Sequence, residues 1–277
     1  VESFNPTGSY KDRMAMAMVE GAEECGELRP GMKVVEYSGG STGSSLAFVC
    51  AVKGYRCKIV SSDAFAQEKL DTMRAFGAEL DVVPSDNGKI TAELIKEMIR
   101  RTEILAMHDE TFFTDQLNNG DIVRGFEKLG SEILLQLNKP IDAFCGAVGT
   151  AGMLMGVSKI LRKSEYGTRI IALEPASSPF LSTGKKGAHR VEGIGLGLDL
   201  PLLDKNGYDQ ARGIEEKDGR QVARQMAFEE GIFAGTSSGL NMAGALQLAQ
   251  ELGKGKTVVT VACDSGLKYL AGDLYVD

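Results

Sequence analysis

The segment Asn5-Pro6-Thr7-Gly8-Ser9-Tyr10-Lys11-Asp12-Arg13 places a lysine where a helix should begin. Asn-Pro-x-Gly is turn-forming, Ser9 is a candidate N-cap, and Lys11 then falls in the first helical turn. A helix dipole disfavours a cation at that end, which favours a neutral and nucleophilic amine at Lys11. An exposed first-turn lysine is the plainer explanation that this segment leaves open by itself. Three glycine- and hydroxyl-rich turns could complement the amine. Val148-Gly149-Thr150-Ala151-Gly152-Met153 follows an apolar run and opens a helical pattern, so its backbone N–H groups can converge on an anion. Tyr37-Ser38-Gly39-Gly40-Ser41-Thr42-Gly43 does the same after Val34–Glu36 and could hold a carboxylate. Gly235-Thr236-Ser237-Ser238-Gly239 stands ahead of a helical pattern at Leu240–Glu251. Taken singly, the Val148 and Gly235 segments are better explained as a tight turn and a capped helix start, and only the Tyr37 segment is explained equally well either way.

These segments need elements to position them. Short β-branched runs at Lys33–Glu36, Lys58–Val60, Glu79–Val83, Ala143–Ala147, Arg169–Leu173 and Thr257–Ala262 read as strands. Amphipathic stretches at Asp12–Glu24, Thr42–Lys53, Gln67–Phe76, Thr91–Arg101, Gly120–Leu137, Ala151–Arg162, Arg220–Glu229 and Leu240–Glu251 read as helices. Such alternation predicts an α/β fold with parallel sheets and helices on both faces. Residues Thr114–Gly120 mark the boundary between two lobes packed around a cleft, a smaller one over 1–116 and a larger one over 117–277. Ligands of open α/β sheets collect at the carboxyl ends of the strands, where the strand-to-helix turns lie.

The balance of residues excludes other classes. A formal charge of −7 leaves no basic stripe for nucleic acid, and Lys185-Lys186 to His189-Arg190 reads as a solvated loop. The turn at Val148 has neither the Lys-Ser/Thr ending of a P-loop nor dinucleotide-fingerprint spacing. Two histidines and no C-x-x-C pair argue against a metal site. Cys50, Cys145 and Cys263 sit in apolar runs, as buried free thiols of a reducing cytoplasm would. No apolar run reaches membrane-spanning length.

Together the four segments resemble the fold-type II pyridoxal-phosphate (PLP) enzymes, in their cysteine synthase and cystathionine β-synthase branch. N-P-T-G-S-Y-K-D-R is similar to that branch's Schiff-base segment, which implies Lys11 as the PLP lysine and catalytic base. G-T-A-G-M at Gly149–Met153 resembles the phosphate loop and implies Gly149, Thr150, Ala151, Gly152 and Met153 as cofactor residues. S-G-G-S-T-G at Ser38–Gly43 resembles the substrate-carboxylate loop, implying Ser38, Gly39 and Thr42 for substrate and Ser41 beside the cofactor ring. G-T-S-S-G implies Ser237 facing the pyridine nitrogen. Gln116-Leu117-x-Asn119 and Gly193-Ile194-Gly195 match further substrate segments through Gln116 and Gly193. Leu173-Glu174-Pro175 and Ser265-Gly266-x-Lys268-Tyr269-Leu270 fall in family order.

The resemblance implies a tryptophan synthase β-like architecture of two three-layer lobes. It implies β-elimination and replacement on a serine-derived amino acid by a cytoplasmic homodimer. O-acetylserine and sulfide would give cysteine, and PLP would be the cofactor, with no metal. A serine/threonine dehydratase and a non-catalytic PLP-binding relative are the competing expectations. Three departures bear on these expectations. Gly39 and Ser41 stand where the branch carries serine and asparagine. Ala151 replaces a glycine, and its methyl calls for a φ below zero. In relatives a stretch ahead of the lysine motif helps build the larger lobe and the dimer contact, whereas this sequence starts at Val1.

Overall fold

A computed structural model describes residues 1–195 and 197–276. Two compact units emerge, Asn5–Asp121, and Val1–Phe4 with Ile122–Asp277. The first unit runs α1 (Lys11–Cys25), β1 (Lys33–Tyr37), α2 (Ser41–Lys53), β2 (Arg56–Ser62), α3 (Gln67–Ala75), β3 (Glu79–Val83), α4 (Ala92–Ala106) and β4 (Thr111–Phe113). The second runs α5 (Asp121–Leu137), β5 (Ala143–Ala147), α6 (Gly152–Leu161), β6 (Arg169–Pro175), α7 (Phe180–Thr183), β7 (Gln210–Ile214), α8 (Glu216–Glu230), α9 (Thr236–Leu252) and β8 (Val258–Val259). A 3₁₀ turn follows at Gly266–Tyr269.

Each unit carries one four-stranded parallel sheet, in the orders β3-β2-β1-β4 and β7-β6-β5-β8. In both, the chain steps outward from a central strand and then returns to that strand's other side. The loops leaving β1 and β4 therefore diverge, as do those leaving β5 and β8. These are the switch points at which an open parallel sheet gathers ligands. All five residues of β5 are buried, as they must be in a strand covered on both faces. Around it Cys145, Ile171, Leu173, Ile214, Leu240 and Leu248 form one core, while Val60, Val83, Leu94 and Met98 form another in the first unit.

The α/β class and the parallel sheets agree with the sequence reading, but several element limits do not. Strands β4 and β7 were not expected. The first has only three residues, and Gln-Ala-Arg-Gly-Ile shows no apolar alternation because it lies at a sheet edge. The strand expected over Thr257–Ala262 pairs only at Val258 and Val259. Beyond them side chains replace the ladder: Thr260 Oγ1 donates to the Cys145 carbonyl (2.8 Å), and Asn241 Nδ2 to that of Val261 (2.8 Å). Helix α4 continues five residues past Arg101, to Ala106, and α9 begins at Thr236, so the Gly235–Gly239 motif forms its first turn instead of preceding it. All five cysteines are free thiols, four of them buried. Among the described residues no helix is long and apolar enough to cross a membrane.

Candidate active site

In the first unit, Lys11 is the first residue of α1 and is buried. The N-cap position belongs to Tyr10, not to Ser9. Ser9 nevertheless supports the turn, its Oγ accepting the Lys11 N–H at 3.2 Å. The loop ahead is closed by Asp12, whose carboxylate accepts from Thr7 N (2.8 Å) and Thr7 Oγ1 (2.6 Å). Thr7 Oγ1 also lies 3.3 Å from Ser45 Oγ, which ties the lysine segment to α2. Lys11 Nζ sits 5.0 Å from the centroid of the Tyr10 ring. A short hydrogen-bonded turn thus holds this amine, and its long stem is covered.

The β1 switch point brings Ser38, Gly39, Thr42 and Gln116 together. Ser38 Oγ accepts from Gly40 N (3.1 Å) and Gly43 N (3.0 Å), so this hydroxyl shapes the loop from inside. Thr42 Oγ1 donates to Gln116 Oε1 (2.9 Å), and Gln116 Nε2 donates to the Tyr37 carbonyl (3.0 Å). Ser41 opens α2 and is half-buried.

Glu36, which the sequence reading passed over, organises this network. It is completely buried in β1 and accepts from Gln116 N (3.0 Å), Tyr37 N (2.9 Å) and Thr114 Oγ1 (2.7 Å). Burial raises its pKa to about 7, although the three hydrogen bonds partly oppose that. An acid inside an otherwise apolar strand was the available signal, because such a group persists only with several partners.

In the second unit the β5 switch point carries Gly149–Met153. Val148 N donates to the Leu173 carbonyl (3.0 Å), and Gly195 N to that of Val148 (3.0 Å), which fastens the loop to the segment Gly193–Gly195. A Cβ on Gly149 would overlap the Gly193 carbonyl oxygen, so the close approach of two backbones demands glycine. Gly193 itself has φ +76°. Gly152 and Met153 form the first turn of α6, and Thr150 and Ala151 are buried ahead of it.

Ala151 overturns the expectation of a negative φ. It adopts φ +71° and ψ −15°. The chain must turn sharply from β5 into α6, and the left-handed conformation accomplishes that turn at a cost of roughly 1–2 kcal/mol for a residue with a Cβ.

His189 also departs from the reading of its segment as a solvated loop. Lys185, Lys186 and Arg190 are exposed, but the imidazole accepts from Val191 N at Nδ1 (3.3 Å). That fixes the tautomer so that Nε2–H donates to the Gly195 carbonyl (3.0 Å). Ser237 is buried in the first turn of α9, and Thr236 Oγ1 accepts from Glu192 N (3.2 Å) beside Gly193. Asn241, completely buried, accepts from Ala147 N at 2.7 Å and so joins α9 to the end of β5.

A family model described as "Pyridoxal-phosphate dependent enzyme" matches residues 1–264. The chain belongs to this family. It is 41% identical to a cysteine synthase of Staphylococcus aureus, over 99% of this chain and 87% of that protein. Among solved structures it resembles an O-ureido-L-serine synthase with a TM-score of 0.92, at 34% identity over 100% of this chain and 87% of that one. It resembles a cysteine synthase of Entamoeba histolytica with a TM-score of 0.93, at 32% identity over 99% and 80%. The residues present fit the cofactor. A covered lysine begins α1, and a loop too tight for a side chain at Gly149 leads into a helix N-terminus that suits a phosphate.

Proposed function

We propose that this enzyme carries out β-replacement on a serine-derived amino acid, converting O-acetylserine and sulfide to cysteine. The observation that carries the reading is similarity to a cysteine synthase over 99% of the chain, combined with a covered lysine at the start of α1. Lys11 Nζ would bind the aldehyde carbon of PLP, and the same amine would accept the substrate's Cα proton. When bound, the cofactor supplies the electron sink for the carbanion at Cα. Amides of Gly149, Thr150, Ala151, Gly152 and Met153 would hold its phosphate, Ser41 would serve the cofactor ring, and Ser237 would offer a neutral hydroxyl to the pyridine nitrogen. Such a hydroxyl gives no charge to keep that nitrogen protonated, a milder setting that suits elimination over transamination.

The Ser38–Thr42 loop, with Gln116 and Gly193, positions the substrate. In unit terms Gln116 is the best supported, since the buried Glu36 and the Tyr37 carbonyl fix its orientation. The enzyme works as a homodimer in the cytoplasm. The test is a product assay on the purified chain supplied with PLP, O-acetylserine and sulfide. Cysteine and acetate in equal amounts are expected. Pyruvate and ammonia as the only products, or no turnover, would overturn the reading.

A further inference from the structure

In the second unit the half-buried imidazole of His189 closes a bend over 189–195. Its Nδ1 accepts from Val191 N (3.3 Å) and its Nε2–H donates to the Gly195 carbonyl (3.0 Å), so both nitrogens are engaged and the ring has one orientation. Gly195 has φ +61°, and a Cβ there would fall 2.6 Å from Nε2 and 3.1 Å from Cε1, so the ring takes the room of a side chain. Within the bend the buried Val191 and Ile194 join the core that holds Cys145, Leu173 and Leu240. That leaves the Gly193 carbonyl against Gly149, while Gly195 N donates to the Val148 carbonyl (3.0 Å). The chain ahead of His189 is anchored as well. Gly187 N donates to Ser178 Oγ (3.1 Å), and the buried Glu174 at the end of β6 accepts from Leu181 N (2.6 Å) and Ser182 N (3.0 Å).

From this we infer that His189 is a positioning residue for the cofactor phosphate. It acts through main chain. The Nε2–H bond fixes Gly195, Gly195 N fixes the Val148 carbonyl, and the Gly193 carbonyl backs Gly149 at the start of the phosphate loop. A set of amides holds an anion well only while its supporting shell keeps every donor aimed at one point. The two ring nitrogens have separate duties in this arrangement. Nδ1 orients the ring on its own segment, whereas Nε2 passes that orientation to the loop at Gly149. This role rests on the proposed assignment of Gly149–Met153 to the phosphate, and it extends that site to a residue which touches neither the loop nor the cofactor.

The test compares the PLP-loaded wild type with His189→Asn, His189→Gln and Thr150→Val. Asparagine keeps an acceptor near the place of Nδ1, and glutamine keeps a donor near that of Nε2, so each retains a different half of the clamp. The apparent dissociation constant for PLP should rise about tenfold in His189→Asn, the upper range for one lost hydrogen bond, and stay within about twofold of wild type in His189→Gln. The phosphorus NMR resonance of the bound phosphate should move in His189→Asn and in Thr150→Val, and stay in place in His189→Gln. Equal PLP affinities in the Asn and Gln variants would overturn the inference alone. So would a resonance that Thr150→Val moves and His189→Asn does not. A resonance that neither of those two variants moves would instead overturn the assignment of the phosphate loop, and the inference with it.

Discussion

Gly39 and Gly149 hold corresponding places in the two sheets, each two residues beyond a central strand at a switch point. Neither has a positive φ, so both are glycine because something occupies the space of a Cβ. The obstacles differ. At Gly39 it is the Phe65 ring, which another residue could replace; at Gly149 it is a backbone carbonyl, which no substitution removes. The loop assigned to the phosphate is therefore fixed by main chain, and the one assigned to the substrate by side chains. An enzyme family that keeps its cofactor while changing substrates would gain from this division.

The largest difference between the two loops is expected at Gly149. Gly149→Ala should destabilise the protein by about 3 kcal/mol, the upper range for forcing a methyl into packed backbone, and no neighbouring side-chain substitution should restore it. Denaturant melts of the single variant, and of its combination with Ile194→Ala, provide the check. Recovery in the double variant would erase the contrast with Gly39.

The side chains that hold the Ser38–Thr42 loop and Gln116 depend on pH through the buried Glu36. Its folded pKa of about 7 lies above the ordinary 4.5, so its stabilising contribution is complete below 4.5 and is lost as pH rises through 7. That interval corresponds to roughly 3 kcal/mol across the window. Glu36→Gln should flatten the fall in stability between pH 4.5 and 7, and raise KM for the amino acid more than it lowers kcat, because Gln116 loses an anchor. Melting temperature across that pH range, with kinetics at its upper end, measures both effects.

The smallest effect belongs to Ala151. Ala151→Gly relieves the left-handed strain and should stabilise the protein by about 1 kcal/mol, less what glycine's greater unfolded-state freedom offsets. A lower melting temperature in that variant would mean the turn does not carry the strain its φ indicates.

Local chemistry made part of this molecule legible in sequence. Lys11, the Ser38–Thr42 loop and the Gly149–Met153 loop were found because turn residues and hydroxyls cluster between strand and helix patterns. The strands β1, β5 and most of β6 were found because buried parallel strands carry apolar runs, and the edge strand β3 because it ends on Val82-Val83. Strands β4 and β7 escaped because the first has three residues and the second, Gln-Ala-Arg-Gly-Ile, has no β-branched pair. Glu36, Phe65 and His189 escaped for a different reason. Each acts on a loop that lies elsewhere in sequence, or through a hydrogen bond that only the fold closes. The left-handed Ala151 was anticipated as a question of φ, and only the geometry of the β5–α6 turn answered it.

Lys11 is proposed as the residue that carries the cofactor. Borohydride reduction of the PLP-loaded protein, followed by digestion and mass mapping, tests this directly. The pyridoxyl label is predicted on the peptide containing Lys11 and should vanish in Lys11→Ala. A label on any other lysine of the wild-type protein would contradict the account.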